Sequence, residues 1–370
     1  MAKLQRAQGL FGCPFVSTHS LSAASANVST AGTRVVFHTG GSCAEVLIYT
    51  CEEEEDASLT LLHKVDVSHL RNGVTGLWSL PPTVGCGIIV TGDVDPGYQV
   101  QLLVVRQDGS VQTIEMGSSN FVNSVSISPV REESGGMRMM VSMSGGLLQL
   151  LHVPPLVNEK VKISPPVKND SESNVSIVCS LRHGIAGSVC LWNGDGSRVY
   201  CCSSSEDTVL VLDSNGSVVR TLATWEGRPG DGSLSVEVHS QLVEGNGSMF
   251  ALVTDPRKAK IRRRVLVVRL PEEGGKDGRL TVLCRLDSTA TIKDNSQGFV
   301  SLIPTSNRGV VGLWEKENGY VEAFDSLTGR ILQHVRDIPI DARSLCYSAG
   351  TEEVVGVGRE RSFYFLSASM

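Results

Sequence analysis

The chain has 370 residues, of which 41% are apolar and 19% charged, with a net charge of −6. That apolar content is ample for a core, and the negative balance argues against a protein whose whole surface binds nucleic acid. No apolar run approaches the roughly 18 residues of a membrane-spanning helix.

The first 44 residues contain no Asp or Glu but do contain Lys3, Arg6, Arg34 and many Ser. This composition has the look of an organellar transit peptide, although Gly9, Gly12 and Pro14 interrupt any amphipathic helix there. Within it, Gly12 to Thr18 forms one strand candidate standing apart from the rest.

Beyond it the chain reads as about seven meanders of short strands. Unit one, about Leu21 to Val67, carries Arg34 to His38, Glu45 to Tyr49 and Leu59 to Val65, with the acidic run Glu52 to Asp56 between the last two. Unit two, about Val74 to Met116, carries Gly87 to Thr91, Gln99 to Arg106, an Asp108-Gly109 turn and Val111 to Glu115. Unit three opens on the period-2 alternation Phe121 to Ile127. It continues through Arg138 to Met143 and Leu147 to Val153.

Pro154 to Asn174 breaks the pattern. Pro154, Pro155, Pro165 and Pro166 cannot donate to a ladder, so a long loop or insertion is expected there. Unit four, Val175 to Trp225, has turns at Glu206-Asp207 and Asn215-Gly216. Unit five, Val236 to Asp287, has a widened basic loop. Unit six begins near Phe299 and includes Val310 to Trp314 and Tyr320 to Phe324, joined at Asn318-Gly319. Unit seven, Ala342 to Leu366, offers only three strands: Ser344 to Tyr347, Glu353 to Val357 and Ser362 to Leu366.

Nine Asn-Gly or Asp-Gly pairs punctuate the chain, supplying the φ > 0 residues that tight hairpins need. No segment holds a 3.6-residue period over a helix's length. Seven meanders are too many for one sandwich. The expected fold is therefore all-β: a single domain over residues 1–370, a seven-bladed β-propeller of antiparallel meanders. Its ring is expected to close by the N-terminal strand, about residues 12–18, adding to the three-stranded last blade and leaving fewer open edges.

Two segments are similar to the third strand of a WD repeat and the turn after it: Val209 to Gly216, VLVLDSNG, and Val321 to Gly329, VEAFDSLTG. Asp213 and Asp325 match the Asp of the Trp-Asp pair, while Leu212 and Phe324 replace its Trp. No Gly-His dipeptide occurs. The chain thus resembles a divergent member of the WD-repeat β-propeller superfamily, which implies a propeller that docks other proteins.

A search for chemistry returns little. There is no G-x-S-x-G, no G-x-x-x-x-G-K and no H-E-x-x-H. The eight His (His19, His38, His63, His69, His152, His183, His239 and His334) are isolated, as surface or hydrogen-bonded core residues are. Asp93 and Asp95 stand two apart in a turn, but a calcium site needs 6–8 oxygens. The ten Cys show no CxxC, and scattered thiols within apolar runs fit small hydrophobes in a reducing compartment. Five N-x-S/T sequons fall in Ser-rich turns. Trp78, Trp192, Trp225 and Trp314 are core residues or binding anchors. No catalytic, cofactor-binding or metal-ligating residue is expected.

One feature carries a partner. Arg257, Lys258, Lys260, Arg262, Arg263 and Arg264 put six positive charges into eight residues of a hairpin loop. They are either a solvated loop or a contact to an acidic surface, to phosphate, or to a nuclear-import receptor. Glu52 to Asp56 and Arg131-Glu132-Glu133 read as solvated loops. The sequence thus points to a non-enzymatic scaffold in a multiprotein complex, with no cofactor and no membrane span. It is expected inside the cell: in the cytoplasm first, with nucleus or organelle as alternatives. Two other functions compete: an RNA- or ribonucleoprotein-associated propeller subunit using residues 257–264, and a lactonase-like propeller hydrolase.

Overall fold

The computed structural model describes most of residues 59–223 and, outside that span, the backbone of the strands named below. Side chains are described almost entirely within residues 45–223. Apart from the single 3-10 turn Ser144–Gly146, every element among the described residues is a β-strand.

The strands fall into sheets in chain order. The first sheet holds β1 (Ala26–Val28), β2 (Arg34–Thr39), β3 (Glu45–Cys51) and β4 (Leu59–Asp66). The second holds β5 (Gly76–Ser79), β6 (Gly87–Val94), β7 (Gln99–Arg106) and β8 (Val111–Glu115). The third holds β9 (Val122–Ile127), β10 (Met137–Met143) and β11 (Leu147–Val153), with β13 (Val175–Arg182) as its fourth strand. The fourth holds β14 (Ser188–Trp192), β15 (Arg198–Ser203), β16 (Thr208–Asp213) and β17 (Val218–Ala223).

Two more four-stranded sheets follow. One holds β18 (Leu242–Gly245), β19 (Ser248–Asp255), β20 (Arg264–Arg269) and β21 (Thr281–Asp287). The other holds β22 (Val300–Thr305), β23 (Gly309–Lys316), β24 (Tyr320–Asp325) and β25 (Ile331–Val335). A three-stranded sheet ends the series: β26 (Ile340–Ser348), β27 (Glu353–Gly358) and β28 (Phe363–Ser367). Pairing within each of these sheets is antiparallel. The first strands of the sheets neighbour one another in turn: β5 with β9, β9 with β14, β14 with β18, β18 with β22, β22 with β26, and β26 with β1.

The core explains the stacking. Successive residues of a strand point to opposite faces, and here both faces are apolar. Along β6 and β7, Ile88, Val90, Leu103 and Val105 pack on Val46, Ile48 and Val65 of the first sheet. Their neighbours Ile89, Leu102 and Val104 pack on Val125, Met139, Val141 and Leu151 of the third. β10 and β11 repeat the rule: Met139 and Leu151 face the second sheet, whereas Met140 and Leu150 face Trp192 and Leu212 of the fourth. The second and third sheets are thus middle layers. Every such aliphatic side chain taken fully out of water contributes roughly 1.5–3 kcal/mol.

Three expectations change. Val175 to Arg182 does not open the fourth unit: it pairs with Leu147–His152 of β11 and completes the third sheet. The Pro154–Asn174 segment, expected to be a long loop or insertion, contains β12 (Val161–Ser164). β12 runs parallel to β8 at Val161↔Ile114 and to β13 at Ile163↔Val175, joining the outer edges of the second and third sheets. The prolines at 154, 155, 165 and 166 flank β12 without entering it, which reconciles their missing donors with a strand. Finally, the first sheet begins with Ala26–Val28, a strand the sequence reading did not assign. The expected closing strand at residues 12–18 lies outside the described residues, and the last sheet has three strands among them.

Candidate functional site

The turns between strands build the best-defined surface. In Arg106–Ser110 and Asp213–Ser217 the chain reverses through the same geometry. The Gly109 and Gly216 N–H groups donate to the Arg106 and Asp213 carbonyls, and the Arg106 and Asp213 N–H groups donate to the Ser110 and Ser217 carbonyls, all within 3.0 Å. Glu132–Gly136 is built alike. This is a type I turn followed by a left-handed residue, which Gly alone adopts without strain; φ is 80° at Gly109, 80° at Gly135 and 82° at Gly216.

Asp side chains finish these turns. Asp213 Oδ1 accepts from Asn215 N at 2.9 Å and Ser217 N at 2.8 Å. Asp108 Oδ1 accepts from Ser110 N at 2.9 Å and Ser110 Oγ at 2.6 Å, and these bonds hold its carboxyl below the usual range. Asp325 Oδ1 accepts from Thr328 N at 3.1 Å. The two Asp residues of the WD-like segments therefore stabilise turns at the end of a third strand.

The turns also lock neighbouring sheets together. A Cβ on Gly109 would lie 3.0 Å from His63 Cγ on β4, and one on Gly216 would overlap the Cys179 sulfur on β13. In both cases the turn between a sheet's third and fourth strands presses on the fourth strand of the preceding sheet. Arg138 extends the lock: Nε pairs with Glu132 at 2.6 Å, and Nη1 donates to the Ser214 carbonyl and to Asn215 Oδ1 at 3.1 Å. Glu132 also pairs with His152 Nδ1 at 2.7 Å. On the first strands, Ser126 Oγ accepts the Trp192 N–H at 3.0 Å and Ser124 Oγ accepts the Cys190 N–H at 3.3 Å. Two Ser of the β9 alternation thereby satisfy the free edge of β14.

The loops between first and second strands meet at the same end. Thr83 donates its hydroxyl to the Pro129 carbonyl and Arg131 Nη2 donates to the Val84 carbonyl. Gly196 presses on Val130, where an added Cβ would come within 2.7 Å. Arg106 is half-buried, its Nε has no hydrogen-bond partner, and it lies directly across from Gly87 in the ladder. Partial burial, and then the charge of Arg131, push the Arg106 pKa below its ordinary value.

Of the expected contact residues, Arg257, Lys258, Lys260, Arg262 and Arg263 lie outside the described residues. Arg264 is the first residue of β20, in register with Asp255 and Asp287. The sequence reading treated Arg131 as part of a solvated loop and Arg106 as a strand end. Their separation by 24 intervening positions offers no spacing signal; only the neighbouring of two sheets brings them to one loop.

Among the described residues no group of three or more His, Cys, Asp or Glu could hold a metal ion. His69 Nε2 meets Gln101 Oε1 at 2.6 Å. Cys190, Cys201 and Cys202 are buried free thiols; desolvation pushes Cys190 and Cys202 up to about 12 and Cys201 well above its ordinary value. Thiols buried in this way pack as small hydrophobes. Trp192 is buried between sheets and Trp78 packs against the core. No helix among the described residues is long and apolar enough to cross a membrane.

Repeated four-stranded antiparallel sheets stacked face to face define an all-β, propeller-like fold. The chain is similar to a chain of a solved structure, "Crystal Structure of Mitotic Checkpoint Complex", with a TM-score of 0.58 and 10% identity, over 100% of this chain and 94% of that one. This likeness is one of fold. No protein-family model and no curated protein matches the chain.

Proposed function

We propose that the chain is a non-enzymatic interaction scaffold: a seven-bladed propeller that acts as a subunit of a multiprotein complex inside the cell. The single observation that carries this reading is the whole-length likeness to a chain whose structure was solved in a multiprotein assembly. The succession of neighbouring first strands, ending with β26 beside β1, supports a ring of blades. The locks between sheets support rigidity, which lowers the ordering cost of docking a partner.

Affinity purification of the tagged full-length protein from its native cell tests the reading. Stoichiometric protein partners that survive moderate salt are the expected result. A purified monomer that hydrolyses a lactone would overturn it, and so would co-purification of RNA with binding abolished by ribonuclease.

A further inference from the structure

β11 and β13 are antiparallel neighbours, and such neighbours need a connection of only about 2–5 residues. Here residues 154–174 lie between them. A connection of that length holds something besides a turn, and what it holds is β12. The chain leaves the third sheet, lays Val161 and Lys162 along β8, then lays Ile163 and Ser164 along β13, and only afterwards begins β13 itself.

β12 is thus a strap across the seam between two outer edges, and its hold is small. It meets each neighbour through two residues, and parallel pairing is the less stable kind per residue. Pro165 follows it directly, so it does not lengthen along β13: proline has no N–H for a ladder. Past Ser176, residues 177–182 of β13 have no further strand beside them on that edge among the described residues. Val178 there is 41% exposed, and Ser180 and Arg182 are exposed as well. An open edge beside an exposed aliphatic residue is a template for an added strand.

The seam also carries charge. The register sets Lys162 opposite Glu115, the last residue of β8. Facing positions of opposite charge favour pairing, and like charges oppose it. The seated sequence, Val-Lys-Ile-Ser, therefore states what the seam accepts: extended backbone, aliphatic residues in alternation, and a cation at the second position.

We propose that the seam between β8 and β13 is a strand-addition site for an extended segment of a partner protein, one that alternates aliphatic residues and places a Lys or Arg opposite Glu115, and that β12 is the chain's own displaceable occupant of it. A partner segment without proline at the place of Pro165 pairs further along β13, toward Val178 and Ser180, and gains ladder bonds that β12 lacks. The proposal names a contact surface of the scaffold described above and rests on that reading.

The test uses the full-length protein and a fluorescein-labelled peptide of residues 158–168 carrying Pro165→Thr and Pro166→Val, read by anisotropy. In the wild type the tethered β12 competes at an effective concentration in the millimolar range. Replacing residues 159–166 of the protein by a Gly-Ser segment of equal length should therefore tighten binding about tenfold or more. Restoring both prolines in the peptide should weaken it about fivefold. Lys162→Glu in the peptide should weaken it about threefold, and Glu115→Lys in the protein should recover that loss. If the Gly-Ser variant melts early, hydrogen exchange on the wild type decides: saturating peptide should speed exchange of the 161–164 amides and slow that of residues 177–182. Equal affinity of the wild type and a folded Gly-Ser variant, binding to neither, or exchange at 161–164 indifferent to saturating peptide would overturn the proposal. So would wild-type dimers that the peptide disperses, because the seam would then belong to β12 of a second copy. A failed seam leaves the scaffold's native partners in place, whereas a failed scaffold reading removes those partners even where the peptide binds.

Discussion

Gly216→Ala is the sharpest probe of how the sheets are held to one another. Gly216 has φ of 82°, and its added methyl would overlap the Cys179 sulfur and approach Cys179 Cβ to 3.1 Å. The left-handed conformation costs an L-residue about 1–2 kcal/mol, and forcing a methyl into a filled seam costs about 1–3 kcal/mol more. The sum is about 2–5 kcal/mol, a large share of a domain's net stability of about 5–15 kcal/mol. At about 2.1 cal/mol/K per residue, a 370-residue chain unfolding as one unit has an unfolding entropy near 0.8 kcal/mol/K, so the melting point should fall by about 3–6 °C. Gly145 supplies the control. Its φ is 74°, but nothing lies within 4 Å of an added Cβ. Gly145→Ala therefore bears strain alone and should lose about 1–3 °C. Differential scanning calorimetry of both variants, with and without Cys179→Ala, separates strain from packing. Equal losses for the two glycines, or a Gly216→Ala loss indifferent to Cys179→Ala, would refute the turn-to-sheet lock.

Ser126→Ala removes the acceptor of the buried Trp192 N–H and should cost about 1–3 kcal/mol in urea unfolding. Glu132→Gln weakens the pairs to Arg138 and His152. Their side chains are about a quarter exposed, so solvent screening limits the loss to about 1 kcal/mol, and it should shrink further in high salt. Burial pushes the Cys190 and Cys202 thiols up to about 12, whereas an unfolded thiol ionises near 9. The folded pKa is raised, so their contribution is complete below about pH 9 and is lost as pH rises toward 12. Urea midpoints should fall across that window, less steeply in Cys202→Ala. Replacing Arg262 and Arg263 with Ser should weaken any acidic partner held by that loop without moving the melting point; Arg264 is left intact because it lies in register with two Asp residues of its sheet.

Many strands and two of the turns could be read from residues alone. The alternation at 121–127 states a period-2 strand, and the apolar runs at 87–91 and 209–212 state short buried strands. Asp108-Gly109 and Asn215-Gly216 state their turns, and both glycines adopt the expected φ. What stayed hidden was pairing at a distance. Val175 to Arg182 carries a strand pattern but nothing that says which sheet it joins; its partner β11 is fixed by tertiary packing of Leu148 and Leu150. β12 is four residues among prolines, and its parallel pairing with two sheets leaves no local mark. The approach of Arg131 to the loop that leads into the strand opposite Arg106 was illegible for the same reason. Each arginine reads as an ordinary strand end or loop charge until two sheets bring both to one loop.

The native mass of the protein, measured by light scattering on material tagged at its own locus and released gently from cells, tests the scaffold claim most directly. The account predicts a discrete species well above the 39.6 kDa of the chain, falling toward that value in high salt together with release of protein partners. A single 39.6 kDa species at all salt concentrations would contradict it.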